Sequence, residues 1–354
     1  MPDSGIGFGG LLLGLGVGWY LFQYIDLGFE IFSYLLILVG AAMVLGGLLQ
    51  RGGRQHPISG VFGGLIGGLF LAAFLTQGFG FVFNFADDFS NIGDYRATET
   101  FTDEFPVTAD MMEIDINSVN GGIDVSSWSG DSVTFDIEVK ARGGTTAEAE
   151  DNIADFEIDL NSAVVGGVQQ ITLSFPIPNT DWTKYSVQID VRVPADATAD
   201  YDLRTTNGGV LLDDIVGESI TIGTTNGGIS LSDVEATALN VDTTNGAISG
   251  TITAQESIMS TTNGGIDLTL TKTSGTHVLD TTNGAIDINL PTGSDVGYRV
   301  NLDTSIGSID VNLPNMDYSI DRTRTKIGET IDYSGKAVQI EITADTTIGS
   351  VELN

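Results

Sequence analysis

The sequence predicts a membrane-anchored, mainly β protein, in which transmembrane α-helices precede a parallel β-solenoid, or β-helix, that carries one short amphipathic helix. Three observations lead to this fold class. The chain begins with long uncharged apolar stretches, apolar and polar residues alternate over much of the remaining sequence, and the string TTNG recurs five times at nearly constant spacing. These patterns are typical of membrane spans, half-buried strands and repeat architectures, respectively.

The amino-acid composition limits the classes of molecule that this chain can bind. The 354 residues include 14 Lys plus Arg against 47 Asp plus Glu, and the formal net charge is -33. Such a chain repels phosphates, so we expect no nucleic acid partner. Abundant carboxylate with little lysine also resembles the acidic surface of halophile proteins. The absence of cysteine excludes disulfides and thiolate metal sites.

Residues 1–85 are predicted to form the membrane anchor. Three apolar stretches, at about 5–25, 31–49 and 60–83, each have roughly the twenty residues that a helix needs to cross a bilayer. Helices buried in a soluble core are the alternative, which three consecutive uncharged segments disfavour. The first residues carry no basic region, so we expect the anchor to persist rather than to be cleaved as a signal peptide.

The short connections predict the orientation of the anchor. Arg51 and Arg54 lie between the second and third stretches, whereas the first connection contains Asp26 and Glu30. By the positive-inside rule, the basic loop and the amino terminus are cytoplasmic. The expected localisation is therefore a multi-pass cell-membrane protein with an extracellular C-terminal β-domain.

The anchor is also rich in glycines spaced four residues apart, which let helices pack closely within the chain or between copies in an oligomer. Its segments GGLLLGLGVGWYL and YLLILVGAAMVLGGLL resemble the transmembrane part of Lia-type envelope-stress proteins. That resemblance implies an alternative function, the regulation of a membrane signalling partner.

Residues 86–104 are predicted to be an acidic juxtamembrane linker, and residues 105–204 the first part of the β-domain. Segments such as MEIDINSV and YSVQIDVRVP alternate with the period of strands. A short helix is expected near 146–157, capped by Thr146. Three side chains of this helix would face the sheet: Ala149, Ile153 and Phe156.

Residues 205–354 are predicted to form the repeat solenoid. Asn-Gly tolerates positive φ, so each TTNG marks a sharp turn. Successive asparagines are separated by 19, 19, 18 and 20 residues, a regularity that favours stacked coils over the alternative of an antiparallel meander. The predicted turn residues are Asn207, Gly208, Asn226, Gly227, Asn245, Gly246, Asn263, Gly264, Asn283 and Gly284.

Stacking would join equivalent side chains of successive coils. The asparagines would form a ladder of amide hydrogen bonds. One core column would contain Val210, Ile229, Ile248, Ile266 and Ile286. Imperfect copies of the repeat begin at Ser118, Thr304 and Thr346, and we interpret them as the entrance of the solenoid and as its C-terminal capping coils.

The NGGI and NGAI repeats that come after VRVPADATADYDLRTTNGGV closely resemble a family of adhesin-like envelope proteins of unknown function. The resemblance extends from Glu99 to Asn354. It implies a β-solenoid ectodomain and no demonstrated activity.

No residue pattern predicts catalysis, a cofactor or a metal. His56 and His277 fall on opposite sides of the predicted membrane, and no nucleophile elbow, phosphate loop or dinucleotide fingerprint is present. An enzyme that cleaves polysaccharide with two carboxylates is still an alternative. The sequence contains so many Asp and Glu residues that it does not indicate which of them would be catalytic. Four aspartates that follow repeat turns are candidate calcium ligands, although we favour the interpretation that their side chains are solvated. They are Asp124, Asp267, Asp287 and Asp310.

One basic cluster, DRTRTK, interrupts the acidic background. If it is a strand, Arg322, Arg324 and Lys326 emerge on one face, where they would bind an anionic partner or neutralise neighbouring carboxylates. The function we expect is a non-enzymatic envelope protein that acts as a scaffold, an adhesin-like surface or an envelope sensor. Its expected partners are the membrane and an envelope glycan or a membrane protein.

Overall fold

Strands dominate the β-domain because apolar and polar residues alternate along most of its length. The computed structural model describes residues 95–178 and 181–354. The predicted membrane anchor, 1–85, lies outside these residues. Within them, no helix combines the length and the apolar character that a membrane span requires.

The strands of the described residues belong to one 21-stranded sheet. Before the repeats the strands are β1 (Tyr95–Pro106), β2 (Met111–Asn117), β3 (Ile123–Trp128), β4 (Ser132–Gly143), β5 (Asp159–Val165), β6 (Val168–Ser174) and β7 (Tyr185–Pro194). The repeats contain β8 (Ala199–Arg204), β9 (Val210–Asp213), β10 (Val216–Thr224), β11 (Ile229–Thr243), β12 (Ile248–Asn263), β13 (Ile266–Leu270), β14 (Gly275–Asn283) and β15 (Ile286–Asn289).

The last part of the chain contains β16 (Val296–Ile306), β17 (Ile309–Val311), β18 (Met316–Asp321), β19 (Thr325–Thr330), β20 (Val338–Ile348) and β21 (Val351–Leu353). One α-helix, α1 (Thr146–Ala154), and two short 3₁₀ turns, Trp182–Lys184 and Tyr333–Gly335, complete the described elements.

Successive repeats pair in parallel and in register. Ile229 is opposite Ile248, which is opposite Ile266. The predicted core column is confirmed, because its members are all at most 2% exposed: Val210, Ile229, Ile248, Ile266 and Ile286. The repeats therefore stack as parallel coils, which produces a solenoid-like sheet and contradicts the antiparallel meander.

The asparagine ladder is present and is longer than the five TTNG copies. Each amide nitrogen donates to the amide oxygen of the preceding coil at 2.7–2.9 Å, along the series Asn283, Asn263, Asn245, Asn226, Asn207 and Asn120. The Asn120 amide donates in turn to the Trp182 carbonyl at 2.6 Å. Asn207 is thus an interior member, and the free end of the ladder is Asn283.

A second ladder runs inside the corner. The first threonine of each pair is buried, and its hydroxyl donates to a glycine carbonyl of the preceding coil at 2.8–3.0 Å. The donors are Thr205, Thr224, Thr243, Thr261 and Thr281. Because a buried hydroxyl needs a partner, these bonds explain why the first position of each pair is a threonine that faces inward.

The glycine after each asparagine has a different role from the predicted one. None of the five lies in the positive-φ region. Instead, a Cβ on Gly208, Gly227, Gly246, Gly264 or Gly284 would lie 1.8–1.9 Å from the glycine carbonyl oxygen of the adjacent coil. Close backbone approach, rather than a left-handed turn, excludes other residues here. Left-handed residues occur at the opposite corner, where Asp214 and Asp233 have φ of 56° and 51°.

The amino-terminal end is covered by extra strands. The coil of β2 and β3 pairs with β6 and β7 on one side, and β4 and β1 extend this layer in antiparallel fashion. The predicted linker 86–104 is therefore too long, because β1 begins at Tyr95. Phe105 of β1 packs edge-on against Phe135 of β4, with ring centroids 6.1 Å apart, so β1 contributes to the core.

The predicted helix is present but shorter than expected. It ends at Ala154, and its cap is Thr145 rather than Thr146, since the Thr145 hydroxyl accepts from the Glu148 N–H at 3.1 Å. Ala149 and Ile153 are buried as predicted. Phe156 is buried just beyond the helix and joins an aromatic cluster with Phe175, Trp182 and Tyr185.

The carboxyl-terminal coils do not stack in chain order. Strands β20 and β21 lie between the coil of β14 and β15 and the coil of β16 and β17. The β18–β19 hairpin then pairs with β16 in antiparallel fashion. The copy at Thr346 is therefore an interior coil, and the copy at Thr304 is the outer one, which differs from the simple capping series that we predicted.

We predict that Asn245→Val costs more stability than Asn283→Val. Asn245 bonds to both Asn226 and Asn263, whereas Asn283 bonds to Asn263 alone. At about 0.5–1.5 kcal/mol for each net hydrogen bond, we expect losses of about 1–3 and about 0.5–1.5 kcal/mol. Chemical denaturation of the full chain measures both values. Equal losses would contradict the ladder.

Candidate functional site

Two columns of carboxylates lie on either side of the outward corner in the carboxyl-terminal coils. On one side, Asp345 lies between Asp280 and Asp303 in the register of β14, β20 and β16. On the other, four acidic residues succeed one another across adjacent coils: Asp267, Asp287, Glu352 and Asp310. Burial raises the pKa of Asp345, and the charges of Asp303 and Asp280 add to this, as expected for like charges held at strand spacing.

The four aspartates considered for calcium are only partly brought together. Asp267, Asp287 and Asp310 belong to one column, with Glu352 between the last two, whereas Asp124 belongs to β3 at the far end of the stack. Across residues 95–178 and 181–354, no group of three or more acidic, histidine or cysteine side chains is arranged to hold a metal ion.

Asp124, which the sequence singled out, forms a carboxylate pair with Asp190, which it did not. The two residues are in register on β3 and β7, and Gln188 donates to Asp124 at 3.2 Å. Burial raises the pKa of Asp124 to about 6, and the neighbouring Asp190 charge contributes to the rise. Burial likewise raises the pKa of Asp190. The signal that would have found Asp190 is the triplet Ile-Asp-Val, which both strands share.

The basic cluster has a different geometry from the predicted one. Arg322 and Arg324 lie in the exposed turn between β18 and β19, and Lys326 lies within β19. The three side chains therefore do not share one strand. Lys326 is 17% exposed, pairs with Asp321 and lies 5.2 Å from the Tyr318 ring centroid.

The same turn covers the edge of the outer coil. Thr304 N–H donates to the Arg324 carbonyl at 2.9 Å, and Ile309 N–H donates to the Thr323 carbonyl at 3.0 Å. An uncovered strand edge is a site of unwanted pairing. The backbone of the hairpin thus caps the coil, while the guanidinium groups of Arg322 and Arg324 are left exposed to solvent.

A surface pocket of about 290 Å³ lies beside the carboxyl end of α1. Asn152, Asp155, Glu157, Pro176, Ile177, Pro178, Asp181, Lys184 and Tyr185 line it. Burial, together with the charges of Asp155 and Asp181, raises the pKa of Tyr185. The volume is at the small end of ligand pockets, which are mostly apolar, and this pocket is lined mainly by polar groups.

His277 is a core residue. It is 2% exposed, and its Nδ1 lies 2.8 Å from the Ser257 hydroxyl. Burial lowers its pKa to about 4, so the ring is neutral at physiological pH. This enclosed pair has no access to substrate, and its hydrogen bond satisfies two buried polar groups.

We predict that Asp124→Asn stabilises the protein at neutral pH. The folded pKa of about 6 exceeds the ordinary value of 3.8, so the stability linked to this proton is present below pH 3.8 and is lost as pH rises through 6. The variant should melt at a higher temperature than wild type at pH 7, and the difference should vanish near pH 4. Thermal unfolding of the full chain between these values measures it.

The matched control is Asp267→Asn, which changes an exposed carboxylate at the same position of an interior coil. We expect a smaller gain in melting temperature at pH 7 than for Asp124→Asn, because the Asp267 side chain is exposed. An identical response of both variants would contradict the special environment of Asp124.

The model of the Toastrack DUF4097 family matches residues 106–352. No curated protein matched the sequence.

Three solved structures illustrate the similarity. A candidate cell adhesion protein from Clostridium sporogenes is 10% identical, with 72% of this chain and 99% of that chain covered at a TM-score of 0.37. A candidate adhesin from Bacteroides fragilis is 13% identical, with 72% and 97% covered at 0.35. One from Parabacteroides distasonis is 16% identical, with 74% and 98% covered at 0.35. Since the family model matches well over half of its residues, the chain belongs to the Toastrack DUF4097 family.

Proposed function

We propose that this protein is a non-enzymatic envelope protein that displays its acidic solenoid outside the cell membrane as an adhesin-like scaffold. The observation that carries the proposal is the unbroken ladder from Asn120 to Asn283. A ladder of this kind holds identical surface groups at a fixed spacing of about 4.8 Å. A rigid, repeated surface suits attachment to a repeated partner better than it suits a single reaction centre.

The envelope location rests on the sequence of residues 1–85. Their three apolar stretches support a multi-pass anchor, and Arg51 and Arg54 support a cytoplasmic amino terminus. Regulation of a membrane signalling partner is the second candidate function, and the Lia-type segments of the same region favour it. In both cases the glycine-rich stretches provide the surfaces through which helices would pack or form oligomers.

The topology predicts opposite labelling of two single cysteines. The chain contains no cysteine, so Gly53→Cys and Ser230→Cys each create a unique thiol, and Ser230 is exposed. In intact cells, an impermeant thiol reagent should modify position 230 and not position 53. Labelling of position 53 alone would reverse the orientation and contradict extracellular display.

The exposed turn of the β18–β19 hairpin is the proposed contact for an anionic envelope partner. Arg322 and Arg324 are exposed, whereas Lys326 is already paired with Asp321. The two arginines present planar groups suited to carboxylates or sulfates. The contribution of Lys326 is expected to be smaller.

We expect Arg322→Gln with Arg324→Gln to reduce capture of acidic envelope glycan by the full chain about tenfold at low salt, because charge-assisted contacts dominate there. Melting temperature should change little, since exposed charges add little stability. Lys140→Gln with Lys184→Gln removes the same charge from exposed ion pairs and should leave capture intact. Equal capture by both double variants would remove the hairpin as a binding site.

A further inference from the structure

The second threonine of each TTNG corner forms an outward row beside the asparagine ladder. The neighbouring buried threonines are in register from coil to coil, so the residues next to them in the chain stack as well. We call this row, together with the ladder, the hydroxyl face. Its threonines are Thr206, Thr225, Thr244, Thr262, Thr282 and Thr347, of which Thr244 is half-buried and the others are exposed.

The hydroxyl face has free hydrogen-bonding capacity. The buried threonines donate to glycine carbonyls, whereas the outward threonine hydroxyls have no partner among the described residues. Each interior asparagine uses one N–H and one oxygen lone pair within the ladder. Because an amide has two N–H donors and two lone pairs, a donor and an acceptor remain on every coil.

Charge around the hydroxyl face excludes one class of polymer. Asp242 and Asp280 precede the threonine pairs, and Asp267 and Asp287 come after the corner, on either side of the face. Exposed carboxylates at this density repel anionic chains. A partner that spans several coils is therefore not anionic here, and it must offer both donors and acceptors at every step.

We propose that the hydroxyl face binds a linear, neutral, β-linked polysaccharide that lies along the stack of coils. Coils repeat about every 4.8 Å, which is close to the length of one sugar ring in an extended β-linked chain. Successive sugars, which present alternating edges because neighbouring rings of such a chain are flipped, can therefore each offer hydroxyls to the threonine and asparagine of one coil. The inference rests on the proposed adhesin-like function and names its ligand class.

The rigid ladder favours such binding in two ways. The side-chain amides are already fixed by their neighbours at 2.7–2.9 Å, so little ordering is needed on binding. Individually weak contacts also add along a chain that is held by several coils at once. Since neutral hydrogen bonds are not screened by ions, binding persists in concentrated salt, unlike binding at the arginine turn.

The test uses the full chain in detergent, with cellulose as the probe, and measures the protein retained in high salt. Thr225→Val, Thr244→Val and Thr262→Val together remove three adjacent hydroxyls while preserving side-chain shape. We expect this triple variant to be retained at least about tenfold more weakly than wild type. The control triple, Thr221→Val, Thr269→Val and Thr276→Val, also changes outward threonines, one half-buried and two exposed, and should stay within about twofold of wild type.

Three results would overturn the inference: no retention of wild type, equal retention of wild type and the hydroxyl-face triple, or equal losses in both triples. Soluble cellohexaose should release the bound protein, and glucose at the same sugar concentration should not. If thiol labelling places position 230 outside while cellulose does not retain the protein, only this inference fails. If position 230 is inside, the proposed function itself fails.

Discussion

The stacking of coils depends on a close contact between glycine backbones. A Cβ on Gly227, Gly246 or Gly284 would lie 1.8 Å from the glycine carbonyl oxygen of the adjacent coil, a separation that no side chain tolerates. This approach brings that carbonyl within reach of the buried threonine hydroxyl, as for Thr243 and Gly227 at 2.9 Å. It also sets the spacing at which the asparagine amides meet. Glycine, threonine and asparagine are thus three consequences of one geometric requirement.

The same requirement explains how the stack ends. In the last two coils, Ile348 and Ile306 replace asparagine and are 48% and 59% exposed, yet Gly349 and Gly307 keep the close contact at 1.8 Å. Thr346 and Thr304 keep their hydroxyl bonds to glycine carbonyls at 2.9 Å. The amide ladder is therefore dispensable at the end of the stack, whereas glycine and buried threonine are not. The outward positions are therefore not constrained by the contact that stacks the coils.

Much of the fold is a consequence of periodicity, and the remainder depends on long-range pairing. Regular asparagine spacing predicted the parallel stack and the column at Ile248 and Ile266, because both depend on residues one coil apart. Local patterns could not predict that β20 and β21 enter between earlier coils, since that choice depends on which strand edges are open. The two arginines of the basic cluster were misplaced for a related reason: an alternating RTRTK string fits a strand, but Arg322 N–H donates to the Thr325 carbonyl at 2.9 Å and closes a turn. Asp190 was missed because its strand comes after no TTNG corner.

The most direct test of the glycine contact compares two glycine-to-alanine variants in the full chain. Gly246→Ala places a Cβ 1.8 Å from the Gly227 carbonyl oxygen, whereas a Cβ on Gly223 meets no atom within 4 Å. Chemical denaturation should show that Gly246→Ala loses about 3 kcal/mol or more. Gly223→Ala should be neutral, or more stable by up to about 1 kcal/mol, because alanine restricts the unfolded chain. Similar stability of the two variants would contradict the account.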